Sequence, residues 1–313
     1  TMAIGCFSFL APFLGCTAIA KWILGWSTDA SWLAGVAMST TSVAVVYAVM
    51  LEFGLNKTEF GKTILAACFI TDLATVLALG FIFAPFTGRT VAFAGFGTLA
   101  FVVLPWLTPW FFKKYGNRPS ELEAKFLMLC LFGLGALATW ADSEAVLPAY
   151  LFGMVLAGTV GKDHALIRRL RTLTFGLLTP FYFIRAGALV SLPALVAAPA
   201  AFIALLVGKM LAKFAGVYPI GSHYLKDRKE VMYTTLLMST GLTFGTISSL
   251  FGLSHSIIDQ GQYSALVAAV IGSAVVPTLI ANAFFLPKHL LRGPEPEDGA
   301  APAATPNLKR SSG

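Results

Sequence analysis

The acidic residue Asp72 lies within a long apolar segment, where a charged side chain is energetically unfavourable. Asp72 lies in the run 61–80, and the residues around it are apolar or small for about the length of a membrane span. An ionised Asp at the middle of a bilayer costs about 2.5 to 3.5 kcal/mol even on the most lenient scale. Such a group is tolerated when it faces a water-filled cavity or a partner, so Asp72 is predicted to handle an ion or a proton. A polar contact between two helices is the structural alternative.

Two clusters of small and hydroxyl-bearing residues are predicted to lie at a similar depth. They are Ser39, Thr40, Thr41 and Ser42 in one segment, and Ser239, Thr240, Gly241 and Thr243 in another. Such residues weaken a helix, and their hydroxyls can satisfy the backbone groups that a break sets free. In transporters, broken helices place helix ends and bare carbonyls at the midplane, where they bind ions. Close helix packing through small residues is the alternative, but two related clusters beside an acid favour broken helices.

Four basic residues that the loops do not account for lie within the apolar segments, Lys21, Arg185, Lys209 and Lys213, and the last three are considered for the site. Lys213 is expected near a cytoplasmic segment end, with its side chain extended to the lipid headgroups. Lys209 is one turn deeper, and it is expected either to supply a cation beside Asp72 or to support the site when it is empty. Arg185 is interpreted as a buried cation near the outer surface, in a structural pair or in an outer gate.

The composition of the chain places it in a membrane. Of its 313 residues, 57% are hydrophobic and only 12% are charged, whereas about a quarter of the residues of a soluble protein are charged. The net charge of +7 comes from basic residues in short loops, so no nucleic-acid partner is predicted. The four cysteines and four histidines show no metal or disulfide spacing. With no nucleophile–base pair or phosphate loop, neither an enzyme nor a cofactor is predicted.

The chain divides into about ten apolar segments, each near the roughly 20 residues that a span needs. They are 2–26, 31–55, 61–85, 90–112, 122–141, 144–161, 172–191, 193–217, 229–252 and 260–287. Loops that hold most of the Lys and Arg residues alternate with loops that hold only Arg89. Because cytoplasmic loops carry the Lys and Arg excess, the start of the first segment and the C-terminus are both predicted to be cytoplasmic.

An internal repeat accompanies this topology. The run 39–55 resembles the run 239–253, and each is followed by a glycine and another span. The distribution of basic loops makes the two copies run in opposite directions through the membrane. Weak internal similarity with inverted topology is typical of secondary transporters, although polar runs also recur by chance in membrane helices. The sequence therefore predicts an all-α polytopic helix bundle with inverted repeats.

These features in combination resemble the monovalent cation:proton antiporters, close to the Kef-type and the Nha/Nap-type sodium–proton antiporters. The matching elements, over nearly all of 1–287, are Thr71-Asp72 for the paired-carboxylate motif, 39–42 and 239–245 for the two broken helices, and Lys209 for the basic position. The resemblance implies an ion site that combines Asp72, Thr71 and the two hydroxyl clusters, with Lys209 or Arg185 as charge partners. It also implies a homodimer.

Two departures from the family pattern affect the expected mechanism. The first position of the carboxylate pair is Thr71, and the single-carboxylate form is associated in the family with electroneutral exchange. The family also begins with two or three helices that are not found here, so the chain is expected to be a fragment. The resemblance implies a first core repeat at 1–85, a linker at 86–121, a scaffold for dimerisation at 122–192, a second core repeat at 193–287 and a disordered cytoplasmic tail at 288–313.

The sequence thus predicts a secondary transporter that exchanges Na⁺ or K⁺ for H⁺ by alternating access. Cation and proton would compete for Asp72, because a neutralised carboxylate passes an apolar barrier at a lower cost than a charged one. The protein is expected in a bacterial plasma membrane. A channel-like cation efflux protein and a sodium-coupled symporter of an organic anion are the alternatives.

Overall fold

The computed structural model describes residues 1–83, 87–116, 120–143, 145–197, 199–225 and 227–290. Within those ranges the chain is helical and forms no strand. In chain order the α-helices are α1 (Met2–Ala18), α2 (Thr28–Ser39), α3 (Val43–Glu52), α4 (Glu59–Phe83), α5 (Gly88–Tyr115), α6 (Leu122–Trp140), α7 (Val146–Val160), α8 (His164–Leu173), α9 (Thr179–Ala188), α10 (Leu192–Ala197), α11 (Pro199–Tyr224), α12 (Arg228–Met238), α13 (Thr243–Ser254) and α14 (Gln260–Ile280). Most of the predicted disordered tail, residues 291–313, lies outside the described residues.

Short turns of other helical types extend or follow several of these helices. The π-helical turns are Ile19–Ile23 after α1, Thr174–Leu178 between α8 and α9, and Ala281–Phe285 after α14. The 3-10 turns are Leu55–Lys57 before α4 and Lys288–Leu290 after the last π-helical turn. Because α8, the π-helical turn and α9 follow one another without a gap, they form one continuous helical stretch.

Eight helical stretches in the described ranges are long and apolar enough to cross a membrane. They are Met2–Ile23, Thr28–Glu52, Glu59–Phe83, Gly88–Tyr115, Leu122–Trp140, Pro199–Tyr224, Arg228–Ser254 and Gln260–Phe285. The two remaining predicted segments fall on the shorter apolar helix α7 and on the stretch from α8 to α9. The prediction of an all-α polytopic bundle is confirmed, while the ten-span count and the inverted repeats stay predictions.

Two of the long stretches are interrupted where the sequence predicts broken helices. In the first break, residues 40–42, Thr40 and Ser42 have extended backbones. In the second break, residues 239–242, the backbone of Leu242 is neither helical nor extended. The Oγ of Ser42 accepts a hydrogen bond from the Val45 N–H at 3.4 Å and so caps the start of α3. Both predicted breaks are therefore present, and each broken helix is followed by a long one, α4 or α14.

Apolar packing separates two groups of helices. Two clusters of buried residues are built largely from α1–α4 and α11–α14, which we call the core helices; they include Leu33 with Tyr263 and Val46 with Leu237. A third cluster, which includes Phe152, joins α5, α6, α7 and α8, which we call the outer helices. The core helices and the outer helices therefore pack around separate apolar clusters.

The two groups differ in how much of their surface is covered. In the most apolar part of the stretch formed by α2 and α3, 72% of the residues are buried, whereas in that of α5 only 11% are buried. Large side chains such as Trp106 and Phe132 lie exposed on the outer helices. Lipid tails and protein interiors are similarly apolar, so this exposure is expected of helices that face a bilayer. The polar groups that could do chemistry lie instead among the core helices.

Candidate functional site

The two breaks cross in the centre of the core and are bonded to each other. The Ser42 N–H donates a hydrogen bond to the Thr240 carbonyl at 3.1 Å. The Thr41 Oγ1 donates to the carbonyl of Met238, the last residue of α12, at 2.9 Å. Residues about 200 positions apart therefore satisfy one another's freed backbone groups, which a buried break requires.

Asp72 is buried in α4 with one carboxylate oxygen unused. The residue is 4% exposed, and its Oδ1 has no hydrogen-bond partner among the described residues. One turn further along α4, the Thr75 Oγ1 lies 3.5 Å from the Ser39 Oγ at the end of α2, which brings this face of α4 against the first break. A buried oxygen acceptor without a donor is costly, and a cation or a proton would satisfy it.

The hydroxyl of Thr71 is bonded to its own helix and to α1. Its Oγ1 donates to the Ala67 carbonyl at 3.0 Å and to the Gly5 carbonyl of α1 at 3.3 Å. A Cβ added at Gly5 would lie 2.8 Å from the Ile70 side chain, so glycine permits the close approach of α1 and α4. Consecutive residues of a helix point in directions about 100° apart, and the hydroxyl of Thr71 is bonded on the α1 side of the helix.

Lys213 is the cation that holds the first break, and the expectation that it extends to the headgroups is wrong. It is fully buried, and its Nζ donates to the Ser39 carbonyl at 2.9 Å, the Thr41 Oγ1 at 2.9 Å and the Ser8 Oγ at 2.8 Å. Three acceptors match the three N–H bonds of an ammonium group. The error arose from the predicted segment end at 217, since α11 continues to Tyr224 and leaves Lys213 well inside it.

Lys209, one turn earlier in α11, serves the second break. It is fully buried, and its Nζ donates to the Ser273 Oγ of α14 at 3.0 Å. The same Nζ lies so close to Gly241 that a side chain at that position would collide with it. The Ser273 Oγ also lies 3.3 Å from the Gly241 carbonyl, to which it donates. The contacts of Lys209 are therefore with the second break and with α14.

The remaining hydroxyls of the two clusters are buried and mostly bonded to their own helices. Ser39 and Thr40 donate to carbonyls of α2, and Ser239 and Thr240 donate to carbonyls of α12. Since a hydroxyl that donates one hydrogen bond keeps lone pairs, these oxygens remain possible acceptors for a cation. Thr243, at the start of α13, instead lines a cavity of about 310 Å³ between the second break and α9.

Arg185 does not belong to this centre. Its side chain is exposed on α9, so the interpretation of Arg185 as a buried cation is wrong. No ion pair of Arg185 with a carboxylate occurs among the described residues. The nearby outer contacts are made instead by Tyr263, whose hydroxyl donates to the Ala186 carbonyl at 2.8 Å. An apolar neighbourhood in the sequence does not reveal which way a helical side chain points.

Several site residues were missed at the sequence level. Ser8 and Ser273 are fully buried partners of the two lysines. Tyr150 of α7 donates a hydrogen bond to the Phe69 carbonyl of α4 at 3.0 Å. The available signal was the same for all three, a polar side chain in an apolar segment, and that signal is too common to select them.

One polar cluster lies apart from the centre. The His289 Nε2 is 2.8 Å from the Glu230 Oε1, and its Nδ1 is 3.9 Å from the Asp227 Oδ2. The metal-ligand atoms that the three side chains offer lie within 4.8 Å of one another. These contacts tie the C-terminal 3-10 turn to the start of α12. Residues from distant parts of the chain meet here, so no spacing motif could have predicted the group.

Comparison with known proteins identifies related sequences over most of the chain. The family model described as sodium/hydrogen exchanger, transmembrane, matches residues 1–286. An Na⁺/H⁺ antiporter of Enterococcus hirae is 25% identical over 266 residues, which are 80% of this chain and 68% of that protein. Cation/H⁺ antiporter 15 of Arabidopsis thaliana is 24% identical over 81% of this chain and 32% of its own length. A glutathione-regulated potassium-efflux system protein of Enterobacter sp. is 25% identical over 79% of this chain and 41% of its own length.

Proposed function

Because the chain belongs to the sodium/hydrogen exchanger family, whose members are transporters and not enzymes, we propose that it exchanges a monovalent cation for H⁺ across a membrane. The names of the relatives include both Na⁺/H⁺ antiport and potassium efflux, so Na⁺ and K⁺ are the candidate substrates. The chain spans about two thirds of the enterococcal antiporter and 32% and 41% of the other two proteins. The activity is therefore proposed for this part of the molecule.

The observation that carries the proposal is the buried, unpartnered carboxylate oxygen of Asp72 on α4, the helix that contacts the first break one turn further along through Thr75 and Ser39. Asp72 binds either a proton or one cation, and the two compete because they neutralise the same group. A neutralised site crosses an apolar barrier far more easily than a charged one. This competition alone couples the two opposite fluxes. One cation for one proton on a single carboxylate makes the exchange electroneutral.

The neighbouring oxygens complete the proposed cation site. The hydroxyls of Ser39 to Ser42 are buried at the first break, which contacts α4 one turn from Asp72. Those of Ser239 and Thr240 lie in the second break, and Thr243 directly follows it. Thr71 contributes from α4 itself. Lys213 is the charge partner that the contacts support best, because its ammonium group holds the first break. Lys209 has the corresponding role at the second break.

The division of the apolar clusters supports a proposal of alternating access. We propose that the core, residues 1–85 and 193–287, moves against a scaffold formed by residues 122–192, with 86–121 as the linker. The separate apolar centres of the core helices and the outer helices support this division. The exposed apolar surface of the outer helices is available for a homodimer contact as well as for lipid. The protein would lie in a bacterial plasma membrane with its C-terminus in the cytoplasm.

Proton flux in vesicles tests the proposal directly. Pulses of Na⁺ or K⁺ are given to vesicles that contain a pH-sensitive dye and either the wild-type protein, Asp72→Asn or Asp142→Asn. Asp142 is a matched control, since its exposed carboxylate lies 3.9 Å from Arg89 and outside the core. We expect cation-dependent proton flux in the wild type and in Asp142→Asn, and its loss in Asp72→Asn.

The same assay separates the alternatives. A channel would conduct at fixed pH without coupling to the proton gradient, and a symporter would require an organic anion. Proton flux that survives in Asp72→Asn would contradict the proposed role of Asp72. Folded wild-type protein that gave no proton flux with either cation would contradict exchange altogether.

A further inference from the structure

Tyr150 crosses from the outer helices to the core beside Asp72. It lies on α7, and its hydroxyl donates to the Phe69 carbonyl of α4 at 3.0 Å. Phe69 is three residues before Asp72, which is about one helical turn. A carbonyl has two lone pairs, so the Phe69 carbonyl can accept this bond while it also serves the α4 backbone.

The ring of Tyr150 makes a second contact with the core. It meets the ring of Phe244 edge to face, with ring centroids 6.3 Å apart and an angle of 69° between the planes. Phe244 follows Thr243 in α13, directly after the second break. One side chain of the outer helices therefore touches α4 near Asp72 and α13 near the second break.

This contact differs from the hydrogen bonds that join α14 to the stretch from α9 to α10 in the described part of the chain. The Ser191 N–H donates to the Ser264 Oγ at 2.8 Å, the Tyr263 hydroxyl donates to the Ala186 carbonyl, and the Gln260 side-chain amide donates to the Leu189 carbonyl. Those bonds lie where the chain passes directly from α9 into α10 and α11, so a moving core could keep them as a hinge. Tyr150 has no such covalent neighbour in the core, and its contacts depend on the present position of α7 against α4 and α13.

We propose that Tyr150 is a positioning residue that favours the conformation described here over the opposite one. The inference rests on the proposed alternating access. When the core moves past α7, the hydroxyl loses the Phe69 carbonyl and the ring loses Phe244, so both contacts stabilise only one of the two states. A ligand binds more weakly, in apparent terms, to whichever state is less populated. Tyr150 therefore influences the ratio of the apparent cation affinities that are measured from the two faces of the membrane.

The variant Tyr150→Phe removes the hydroxyl and keeps the ring. One hydrogen bond is worth about 1 kcal/mol, so its loss shifts the ratio of the two states by about fivefold. The KM for the transported cation is measured from each face, in vesicles of the two opposite orientations. We expect one KM to fall and the other to rise, so that their ratio changes by about fivefold. The control Tyr224→Phe, at an exposed end of α11, leaves the ratio unchanged.

A second variant separates the ring contact from the hydroxyl. Phe244→Leu removes the aromatic edge and leaves the Phe69 bond in place, and it is expected to move the KM ratio in the same direction by about twofold or more. A loss of structure would instead lower the maximal rate from both faces and leave the ratio of the KM values unchanged.

The outcomes distinguish this inference from the proposed function. If the wild type exchanges cations for protons, Asp72→Asn abolishes exchange, and Tyr150→Phe and Phe244→Leu leave the KM ratio within twofold, the positioning role is overturned while the exchanger stands. If the wild type shows no exchange, both fall together. A shift of the ratio in both variants, absent in Tyr224→Phe, supports the inference.

Discussion

Both breaks interrupt a long helix for three or four residues, but they differ in backbone conformation and in the groups that support them. The first break is held by an ammonium group: Lys213 binds the Ser39 carbonyl, Thr41 and Ser8. At the second break the Lys209 Nζ lies close to Gly241 and donates to Ser273. The carbonyls of this break accept hydrogen bonds from uncharged donors, the Ser42 N–H at Thr240 and the Ser273 Oγ at Gly241. The first break is thus fixed by charge-assisted hydrogen bonds, and the second by neutral hydrogen bonds and a close approach that glycine permits.

This difference shows that two breaks in one core can be supported by different groups. The two lysines are four residues apart on α11, so they lie on one face of that helix, and this face supports both breaks. A cation beside the C-terminal carbonyl of α2 also complements the negative end of that helix. The first break contacts α4, the helix that carries Asp72. Its backbone and hydroxyl groups are therefore held in place by charge-assisted hydrogen bonds. The second break is restrained instead by uncharged donors, Ser42 and Ser273.

The largest effect is expected from Lys213→Met. The change removes three hydrogen bonds at once and leaves the buried Ser39 carbonyl without its lysine donor, at a cost of about 1 to 3 kcal/mol. We expect a lower unfolding temperature of the purified protein and a loss of cation-dependent proton flux. Thermal unfolding and the dye assay on the same preparation measure both. A variant as stable and as active as the wild type would show that the first break does not need the ammonium group.

An intermediate effect is expected from Gly241→Ala. The added Cβ would lie 2.7 Å from the Thr40 Oγ1 and would press on the Lys209 Nζ. Such overpacking lowers the free energy of unfolding by about 1 to 3 kcal/mol. Gly153→Ala is the matched control on α7, because an added Cβ there has nothing within 4 Å. Equal unfolding temperatures and equal proton flux in the two variants would mean that the close approach at Gly241 is not required.

The smallest effect is expected from Lys209→Met. Replacement of a buried charge by an apolar side chain of similar length is often neutral or stabilising, and Ser273 keeps its bonds to the Val270 and Gly241 carbonyls. We expect the free energy of unfolding to change by less than about 1 kcal/mol, with proton flux retained. If Lys209→Met abolished proton flux and Lys213→Met did not, the two lysines would have the opposite roles to those proposed here.

The general architecture could be predicted because it follows from local rules. Apolar runs of about 20 residues indicate membrane helices regardless of their neighbours, and the structure contains such helices at the predicted places. The breaks at 40–42 and 239–242 could be predicted because hydroxyl residues and glycine weaken a helix locally. Asp72 stood out because a lone acid in an apolar run is costly wherever the run is placed.

The partners of these residues could not be predicted in the same way. Lys213 and Arg185 were both interpreted from their positions along a segment, yet one is fully buried and the other is exposed. The end of α11 was predicted too early, and an error of a few residues at a helix end decides whether a lysine can reach the headgroups. Ser8, Ser273 and Tyr150 gave no distinctive signal, because each acts only through a residue that is distant in the sequence.

The sequence by itself determined that the chain is a bundle of membrane helices with two breaks and a costly buried acid. These properties depend on the hydropathy and the helix propensity of each segment, and both act within one segment. Only the tertiary structure decided which groups meet: Lys213 with the first break, Lys209 with Gly241, and Tyr150 with α4. The direction of a side chain depends on the rotation and the exact length of its helix, and packing against neighbouring helices sets both.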